Sequence, residues 1–405
     1  MRVLSISFHP MWDDAVGVGM PSIFLGQHAF VDAGHRVRFL YPGRDNRKYE
    51  YQGVELHQFR FRWPVASPRH RWLHRITAKI YTWAFLPAAF TAAYRSARDM
   101  RPDVIYGHFY PAAPVAWLLA RLLRMPNVTR MYGTFLHAWL SPWWKRILKF
   151  EEALAFRIPC AYLIMTNDGT RGDDCAHALG TPAHRFKFWR NGIDKSVYQP
   201  DVDVDAFKRA LEIPATDRIV MSITRLVEWK GVHRLIAALP AVLDQFPGVT
   251  AIIVGDGDER RRLESMARDL GVASKVRFVG AIPHSQTPEY MNAADVFVSL
   301  YRVSNVGNPL LEALCCGRCI VTLSNGATPK LIEHGVTGIL VDEGRLDELP
   351  RALIDVLRDG EKRRRLAAAA RRYAVEHLQT WPERTAMEIR LIEDLVREQG
   401  RRLGR

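Results

Sequence analysis

Residues 219–231 read Ile-Val-Met-Ser-Ile-Thr-Arg-Leu-Val-Glu-Trp-Lys-Gly, a sequence that joins a strand, a loop and the start of a helix. The apolar run Ile219–Ile223 predicts a buried β-strand. Arg225 and Lys230 follow it in a loop, before a helix-like segment. In open parallel sheets, ligands bind where strands end, and the helix N-termini at this edge favour anions. The segment therefore predicts an α/β domain whose ligand-binding edge carries two cations.

The rest of the chain repeats this alternation of strand-like and helix-like segments. Apolar runs that predict strands cover residues 3–8, 36–41, 103–107, 128–132 and 161–166, and then 219–223, 249–254, 276–279, 296–300 and 319–322. Their near-continuous apolar character is typical of parallel sheets that are covered on both faces. We therefore predict the α/β class, with two doubly wound, Rossmann-like domains.

The boundary between the two domains is predicted near residue 200. Asn191, Gly192 and Asp194 form a turn-rich cluster, and an acidic stretch follows Pro200. Turn-rich and polar segments of this kind commonly join domains. A length of 405 residues is sufficient for two full cores. The predicted segments are residues 1–198, residues 199–380 and a last helix, 381–405.

Composition and charge limit the class of protein. The formal net charge of +14 fits an anionic partner such as a diphosphate, an acidic membrane surface or a nucleic acid. Nucleic acid is not expected, because no recognised binding module accompanies the charge. The five cysteines are too few and too unevenly placed for a disulfide framework or a metal site, so we expect buried thiols in a reducing compartment.

Membrane contact, if it occurs, is expected at a surface. The longest apolar stretch, residues 80–94, is shorter than the roughly 20 residues of a spanning helix. Met1–Phe8 reads as a strand rather than a secretory signal, so we expect a cytoplasmic location. Residues 59–98 combine arginines and tryptophans without any acid, and residues 143–149 repeat this mixture. This mixture favours peripheral contact with the anionic inner face of the cell membrane. The alternative is that the aromatic side chains are buried in the core and the arginines are solvated.

Two further loops fall at predicted strand ends. Gly255 and Gly257 follow the strand 249–254 and would let backbone approach a ligand closely, although a plain turn would look identical. A second loop runs through Ser304, Asn305, Val306 and Gly307 into a helix at Asn308, and Glu312 lies one turn into that helix. A carboxylate at this place can accept hydrogen bonds from both hydroxyls of a ribose.

Taken together, these motifs resemble glycosyltransferase family 4, retaining enzymes of the GT-B fold. The resemblance implies that Arg225 and Lys230, in an R-x4-K-G segment, hold the donor diphosphate and act in catalysis. It implies that Glu312, the later glutamate of the E-x7-E motif, binds ribose. The donor-binding residues that we predict are Gly19, Arg225, Lys230, Gly255, Gly257, Ile282, Ser304, Asn305, Val306, Gly307, Asn308 and Glu312.

The resemblance also implies a reaction. Two Rossmann-like domains would face a central cleft, with the last helix returning to the N-terminal domain. A hexose would pass with retention from a UDP- or GDP-linked sugar to a glycan or lipid-linked acceptor, in cell-surface glycan or glycolipid assembly. Cations stabilise the departing diphosphate as it gains charge. Neither a metal nor another cofactor is expected.

The sequence departs from the family pattern at two places. Ser304 stands where the first glutamate of the E-x7-E motif is expected, and Tyr132 stands where many relatives have a histidine that contacts the sugar. A tyrosine hydroxyl can still hydrogen-bond a sugar, so we predict a catalytic role for Tyr132. His108 and His137 could reach the same pocket or be structural, and Asp168 could orient an acceptor hydroxyl or cap a helix. The acceptor-binding candidates are Trp12, His108, His137 and Asp168.

Three other functions are alternatives to sugar transfer. A sugar-nucleotide epimerase would share the donor site but needs an acid/base pair that cannot be assigned. A non-catalytic module that binds a nucleotide or an anionic membrane would be consistent with Ser304 and Tyr132. A nicotinamide oxidoreductase is disfavoured, because Gly17 and Gly19 lack the third glycine and the acidic residue of the dinucleotide fingerprint.

Overall fold

The structure is a computed structural model that describes residues 1–11, 20–61, 71–195 and 201–402. Within them the chain forms two compact units. The first contains residues 1–167, 171–191 and the helix that begins at Trp381, and the second contains residues 168–170 and 192–380. The chain thus passes into the second unit at Gly192, and the predicted boundary at 198/199 lies outside the described residues.

Strands and helices alternate along most of the chain. In the first half they are β1 (Arg2–Ser7), α1 (Pro21–Asp32), β2 (Arg36–Gly43), β3 (Arg47–Tyr51), β4 (Val54–Arg60), α2 (Arg71–Met100), β5 (Val104–His108), α3 (Ala113–Leu123), β6 (Asn127–Met131), α4 (Phe150–Arg157), β7 (Tyr162–Thr166), α5 (Gly172–Ala178) and β8 (Phe186–Trp189). In the second half they are α6 (Val204–Ala210), β9 (Arg218–Ile223), α7 (Val232–Gln245), β10 (Val249–Val254), α8 (Arg260–Asp269), β11 (Val276–Gly280), α9 (Thr287–Ala293), β12 (Val296–Ser299), α10 (Asn308–Cys315), β13 (Cys319–Leu323), β14 (Ile339–Val341), α11 (Leu349–Arg358), α12 (Gly360–His377) and α13 (Trp381–Arg402).

Each unit is built on one sheet. The first has the strand order β3-β4-β2-β1-β5-β6-β7-β8 and is parallel except for β3, which pairs antiparallel with β4. The second has the order β11-β10-β9-β12-β13-β14 and all its strands pair in parallel. Two parallel-sheet, Rossmann-like domains with helices confirm the predicted α/β fold class.

The ten predicted strands are all present, and four further strands had been missed. Burial explains the difference, because β1, β5 and β9 consist largely of buried apolar residues. In contrast, β3 (RKYEY) is an exposed edge strand, β8 (FKFW) is half-buried throughout, and β14 has three residues. A continuous apolar run marks only strands that are covered on both faces.

The last helix, α13, belongs to the first unit. Its apolar face buries Ile389 and Ile392 in one cluster with Val3, Val37 and Tyr106 of the first sheet. The spacing of these isoleucines places them on one side of an α-helix. Burial of this face holds α13 to the first sheet.

Two further expectations concern cysteines and membrane spans. All five cysteines are free and buried, as predicted: Cys160, Cys175, Cys315, Cys316 and Cys319. Among the helices of the described ranges, none is both long enough and apolar enough to cross a membrane.

Ile392→Ala should lower the free energy of unfolding by about 2–5 kcal/mol, because the side chain is fully buried and its removal leaves a cavity. Urea unfolding followed by tryptophan fluorescence measures this change. Arg390→Ala, an exposed position on the same helix, is the control and should change stability by less than about 0.5 kcal/mol. Equal effects of the two substitutions would contradict the packing of α13.

Candidate functional site

The candidate site lies at the point where strand order reverses in the second sheet. The strand β9 has β10 on one side and β12 on the other, so the connections that follow β9 and β12 leave toward opposite faces. Such a reversal opens a crevice at the carboxyl ends of the strands. The loop after β9 carries Arg225 and Lys230, and the loop after β12 carries Ser304 and Asn305.

These two loops contact each other directly. The Arg302 amide donates a hydrogen bond to the Trp229 carbonyl at 2.9 Å. Gly231 has a φ of 68°, and a Cβ atom at this position would lie 2.1 Å from the Leu300 carbonyl oxygen. Only glycine permits this approach, so the R-x4-K-G segment is held against the end of β12.

The charges of Arg225 and Lys230 act on each other, and the carboxylate of Asp168 acts on Lys230 without forming an ion pair. Arg225 is exposed, and neither cation forms an ion pair with any residue that the structure describes. The Lys230 ammonium lies 3.6 Å from the centroid of the Tyr301 ring and 4.2 Å from that of Trp229. Burial, together with the charge of Arg225, lowers the pKa of Lys230 to about 7. A bound anion would relieve this repulsion and desolvation.

Gly255 and Gly257 have a structural explanation. Both have positive φ angles, and a Cβ atom would lie 1.9 Å from the Thr224 carbonyl oxygen at Gly255 and 2.4 Å from the Leu226 carbonyl oxygen at Gly257. These glycines therefore let the loop after β10 pack against the loop after β9. The predicted approach of a ligand to their backbone stays a prediction.

Asn305 fixes the shape of the loop after β12. Its side-chain oxygen accepts hydrogen bonds from the Ser299 hydroxyl at 2.9 Å and the Tyr301 amide at 2.8 Å. Its amide nitrogen donates to the Tyr301 carbonyl at 3.2 Å and to the Asn325 side chain at 2.9 Å. Asn305 is fully buried, so its side chain shapes the loop instead of being free to meet a sugar.

The hydroxyl of Ser304 is also engaged within the protein. It donates to the Asp168 carbonyl at 2.8 Å and accepts from the Val306 amide at 3.2 Å. The Asp168 carboxylate accepts from the Thr170 amide and hydroxyl, while α5 has Arg171 as its N-cap, so Asp168 does not cap that helix. Burial raises the pKa of Asp168 to about 6.

The helix α10 begins where the sequence predicted. Gly307 is its N-cap residue, Asn308 is its first residue, and Glu312 lies one turn in with a side chain that is 6% exposed. The Val306 side chain packs with Leu310 in the apolar cluster under this helix. Any contact of Val306 with a donor would therefore come from its backbone.

Three predicted residues remain: Ile282, Trp12 and Gly19. The Ile282 side chain packs on the apolar cluster beneath β9 and β10, and its backbone follows β11. Trp12 and Gly19 lie outside the described residues.

In the first unit, His108 and Tyr132 meet where β5 and β6 end. His108 Nδ1 lies 2.9 Å from the Tyr132 hydroxyl, and the two rings are stacked at 17°. Burial lowers the pKa of His108 to about 3, so this imidazole is neutral. His137 instead lies 3.7 Å from the Asp174 carboxylate on α5 and is partly exposed. His108 is therefore the histidine that pairs with Tyr132.

Several residues of the site had been missed from the sequence. Trp229 and Tyr301 flank Lys230, and Asn325 holds Asn305. The tryptophan lies inside the R-x4-K-G segment and could have been noticed as an aromatic neighbour of the lysine. Tyr301 and Asn325 could not, because only the folded sheet brings them to the loop after β9.

Comparisons with known proteins identify the family of the chain. The family described as Glycosyltransferase Family 4 matches residues 27–197, and Glycosyl transferases group 1 matches residues 203–373. A GDP-mannose-dependent alpha-(1-6)-phosphatidylinositol monomannoside mannosyltransferase of Mycobacterium tuberculosis is 30% identical over 65% of this chain and 70% of its own length. The enzyme of the same name from Mycolicibacterium smegmatis is 34% identical over 52% of this chain, and the match spans 56% of that relative.

Solved structures of glycosyltransferases have the same fold as this chain. A sucrose-phosphate synthase from Thermosynechococcus elongatus superposes with a TM-score of 0.78 at 20% identity, over 97% of this chain and 98% of that one. This likeness concerns the fold alone. Together with the family matches on both halves, it shows that the chain belongs to the group 1 and family 4 glycosyltransferases, which have the GT-B fold.

Proposed function

We propose that the protein transfers a hexose from a nucleotide-diphosphate sugar to an acceptor hydroxyl, with retention of configuration. The observation that carries this proposal is the pair Arg225 and Lys230, brought together at the switch point of the second sheet with neither cation in an ion pair among the described residues. A diphosphate supplies the negative charge that such a pair favours. Membership of the glycosyltransferase family supports the same reaction class.

The chemistry follows from where charge develops. As the bond between the anomeric carbon and the diphosphate oxygen breaks, negative charge grows on the leaving group beside Arg225 and Lys230. Preorganised cations stabilise this state more than the ground state. The acceptor oxygen then bonds to the anomeric carbon from the same face, and its proton passes to the departing diphosphate. This route uses neither a protein nucleophile nor a metal.

The nucleoside would be held next to the diphosphate. The N-terminus of α10 lies at the end of the loop that contacts the R-x4-K-G segment, and helix N-termini attract anions. Glu312, one turn into α10, is proposed to accept hydrogen bonds from the ribose hydroxyls. The backbone after β11, at Ile282, is proposed to meet the base.

Donor and acceptor are proposed from the mycobacterial relatives. Both are named for GDP-mannose and for a phosphatidylinositol mannoside, so a GDP-linked hexose and a lipid-linked glycan are proposed first, with a UDP-linked sugar as the alternative. The reaction would serve the assembly of glycolipids or cell-surface glycans. The side chains of Ser304 and Asn305 form hydrogen bonds within the protein, and their contact with the donor stays a prediction.

A surface of the first unit supports contact with an anionic membrane, proposed here as peripheral attachment on the cytoplasmic side. Trp83 of α2 stacks on Phe150 of α4 with ring centroids 5.5 Å apart, and both are exposed. Further exposed apolar side chains are Ile80 of α2, Leu154 of α4, and three residues of the 3-10 helix that precedes α4: Trp144, Ile147 and Leu148. Lys145 lies 5.8 Å from the Trp144 ring, so cations border this apolar surface.

Lys230→Ala and Glu312→Ala should each weaken binding of GDP-mannose or UDP-glucose by about ten- to a hundredfold. Loss of a charge-assisted hydrogen bond costs about 1.5–3 kcal/mol. Calorimetric titration of both donors measures the change, and Arg268→Ala, an exposed cation on α8, is the control. Unchanged binding in both variants would refute the site; binding without sugar transfer to any lipid acceptor would favour a non-catalytic module.

Donor binding should weaken as pH rises above 7. The free protein has a Lys230 pKa of about 7, and a bound diphosphate raises it. Above pH 7 the lysine must take up a proton on binding, so affinity for GDP-mannose falls by up to about tenfold per pH unit.

The control for this pH dependence is Lys230→Arg, because its guanidinium stays charged. The affinity of this variant for GDP-mannose should not change with pH above 7. Calorimetry in buffers of different ionisation enthalpy reports the proton uptake directly. A wild-type affinity that is constant from pH 7 to 9 would contradict the assignment.

Trp144→Ser and Ile147→Ser should each weaken sedimentation with anionic vesicles by about tenfold, because burying such a side chain contributes about 1.5 kcal/mol or more. Val375→Ser, an equally exposed apolar position of the second unit, is the matched control. Binding should also fall with salt. Wild-type sedimentation that does not depend on anionic lipid would contradict the membrane proposal.

A further inference from the structure

A cluster of buried polar side chains lies in the first unit, at the ends of β5 and β6 and on α13. The proposed transfer reaction gives its charged members no role. The cluster consists of Tyr106, His108, Arg130, Tyr132, Arg384 and Glu388. Arg130, Arg384 and Glu388 are each more than nine-tenths buried.

The charges of this cluster do not balance. Arg384 donates a hydrogen bond to Glu388 Oε2 at 2.9 Å, and Arg130 Nε lies 3.9 Å from the same oxygen. The Tyr106 hydroxyl donates to the other carboxylate oxygen. Although burial alone would raise the pKa of Glu388, the two arginines lower it to about 2. Two guanidinium groups therefore share one carboxylate, which leaves one uncompensated positive charge among the described residues.

Two hydrogen-bond donors of the cluster also lack a partner. The Arg130 guanidinium lies beside Tyr132, 5.1 Å from its ring centroid, and can only donate. The Tyr132 hydroxyl accepts from it and lies 2.9 Å from His108 Nδ1. With the tyrosine proton directed to Nδ1, the neutral imidazole carries its own proton on Nε2. Within the described ranges, neither His108 Nε2 nor Arg130 Nη1 has an acceptor.

The residues that carry both donors line one cavity. Its wall is completed by Gln27 and Phe30 of α1 and by residues of α13 that include Trp381. The cavity has a volume of about 20 Å³, which is room for about one or two water molecules.

We propose that this cavity is a binding site for one small monovalent anion of halide size, such as chloride. A halide accepts hydrogen bonds from several N–H donors at once and supplies the negative charge that the cluster lacks. Burying an unpaired charge is costly, so occupancy should stabilise the folded first unit. The proposal does not rest on the proposed function.

Water is the competing occupant, and experiment separates the two. A water molecule would satisfy the two donors but would leave the positive charge uncompensated. Crystals soaked in sodium bromide should show an anomalous peak within hydrogen-bond distance of Arg130 Nη1 and His108 Nε2. A cavity that holds only water in such crystals would overturn the proposal.

Thermal unfolding of the full chain provides the solution test. At constant sodium concentration and ionic strength, replacing gluconate by chloride or bromide should raise the melting temperature along a saturating curve. His108→Phe removes one donor and should abolish or right-shift this curve, whereas His137→Gln, outside the cavity, should retain it. If His108→Phe does not fold, the wild-type protein alone provides the test. A wild-type melting temperature that does not rise with chloride or bromide overturns the proposal.

Discussion

Parallel strands on the two sides of β9 send their connections to opposite faces of the second sheet, and the candidate site depends on the crevice that this reversal leaves. The loop after β9 rests on the end of β12, where Gly231 permits an approach that any Cβ atom would block. This contact sets Lys230 against the Tyr301 ring. The position of one glycine thus determines where a buried ammonium group lies.

The two units treat their cations differently. In the first unit, Arg130 and Arg384 share Glu388, which ties α13 to the strands β5 and β6. In the second unit, neither Lys230 nor Arg225 forms an ion pair among the described residues, and desolvation lowers the pKa of the lysine although the Asp168 carboxylate opposes this shift. Around them, the buried hydrogen bonds of Asn305 hold the loop in one conformation. A site of this kind is rigid and electrostatically prepared for an anion before the ligand arrives.

Features that depend on residues close in sequence could be predicted from the sequence. Apolar runs located β1, β5 and β9, and the spacing of Arg225 and Lys230 after β9 located two cations in one loop. Edge strands such as β3 could not be predicted from apolar runs, because an exposed strand carries charged residues instead of a continuous apolar run. The contacts of Glu388 could not be predicted either, since its partners Tyr106 and Arg130 lie more than 250 residues away in sequence. The internal role of Asn305 became visible only when its hydrogen-bond partners were known.

The most direct measurement of the central claim is a crystal structure of the protein with a bound nucleotide-diphosphate sugar. The account predicts diphosphate oxygens within hydrogen-bond distance of the Arg225 and Lys230 side chains, and ribose hydroxyls on the Glu312 carboxylate. A diphosphate bound elsewhere, with Arg225 and Lys230 both facing solvent, would contradict it.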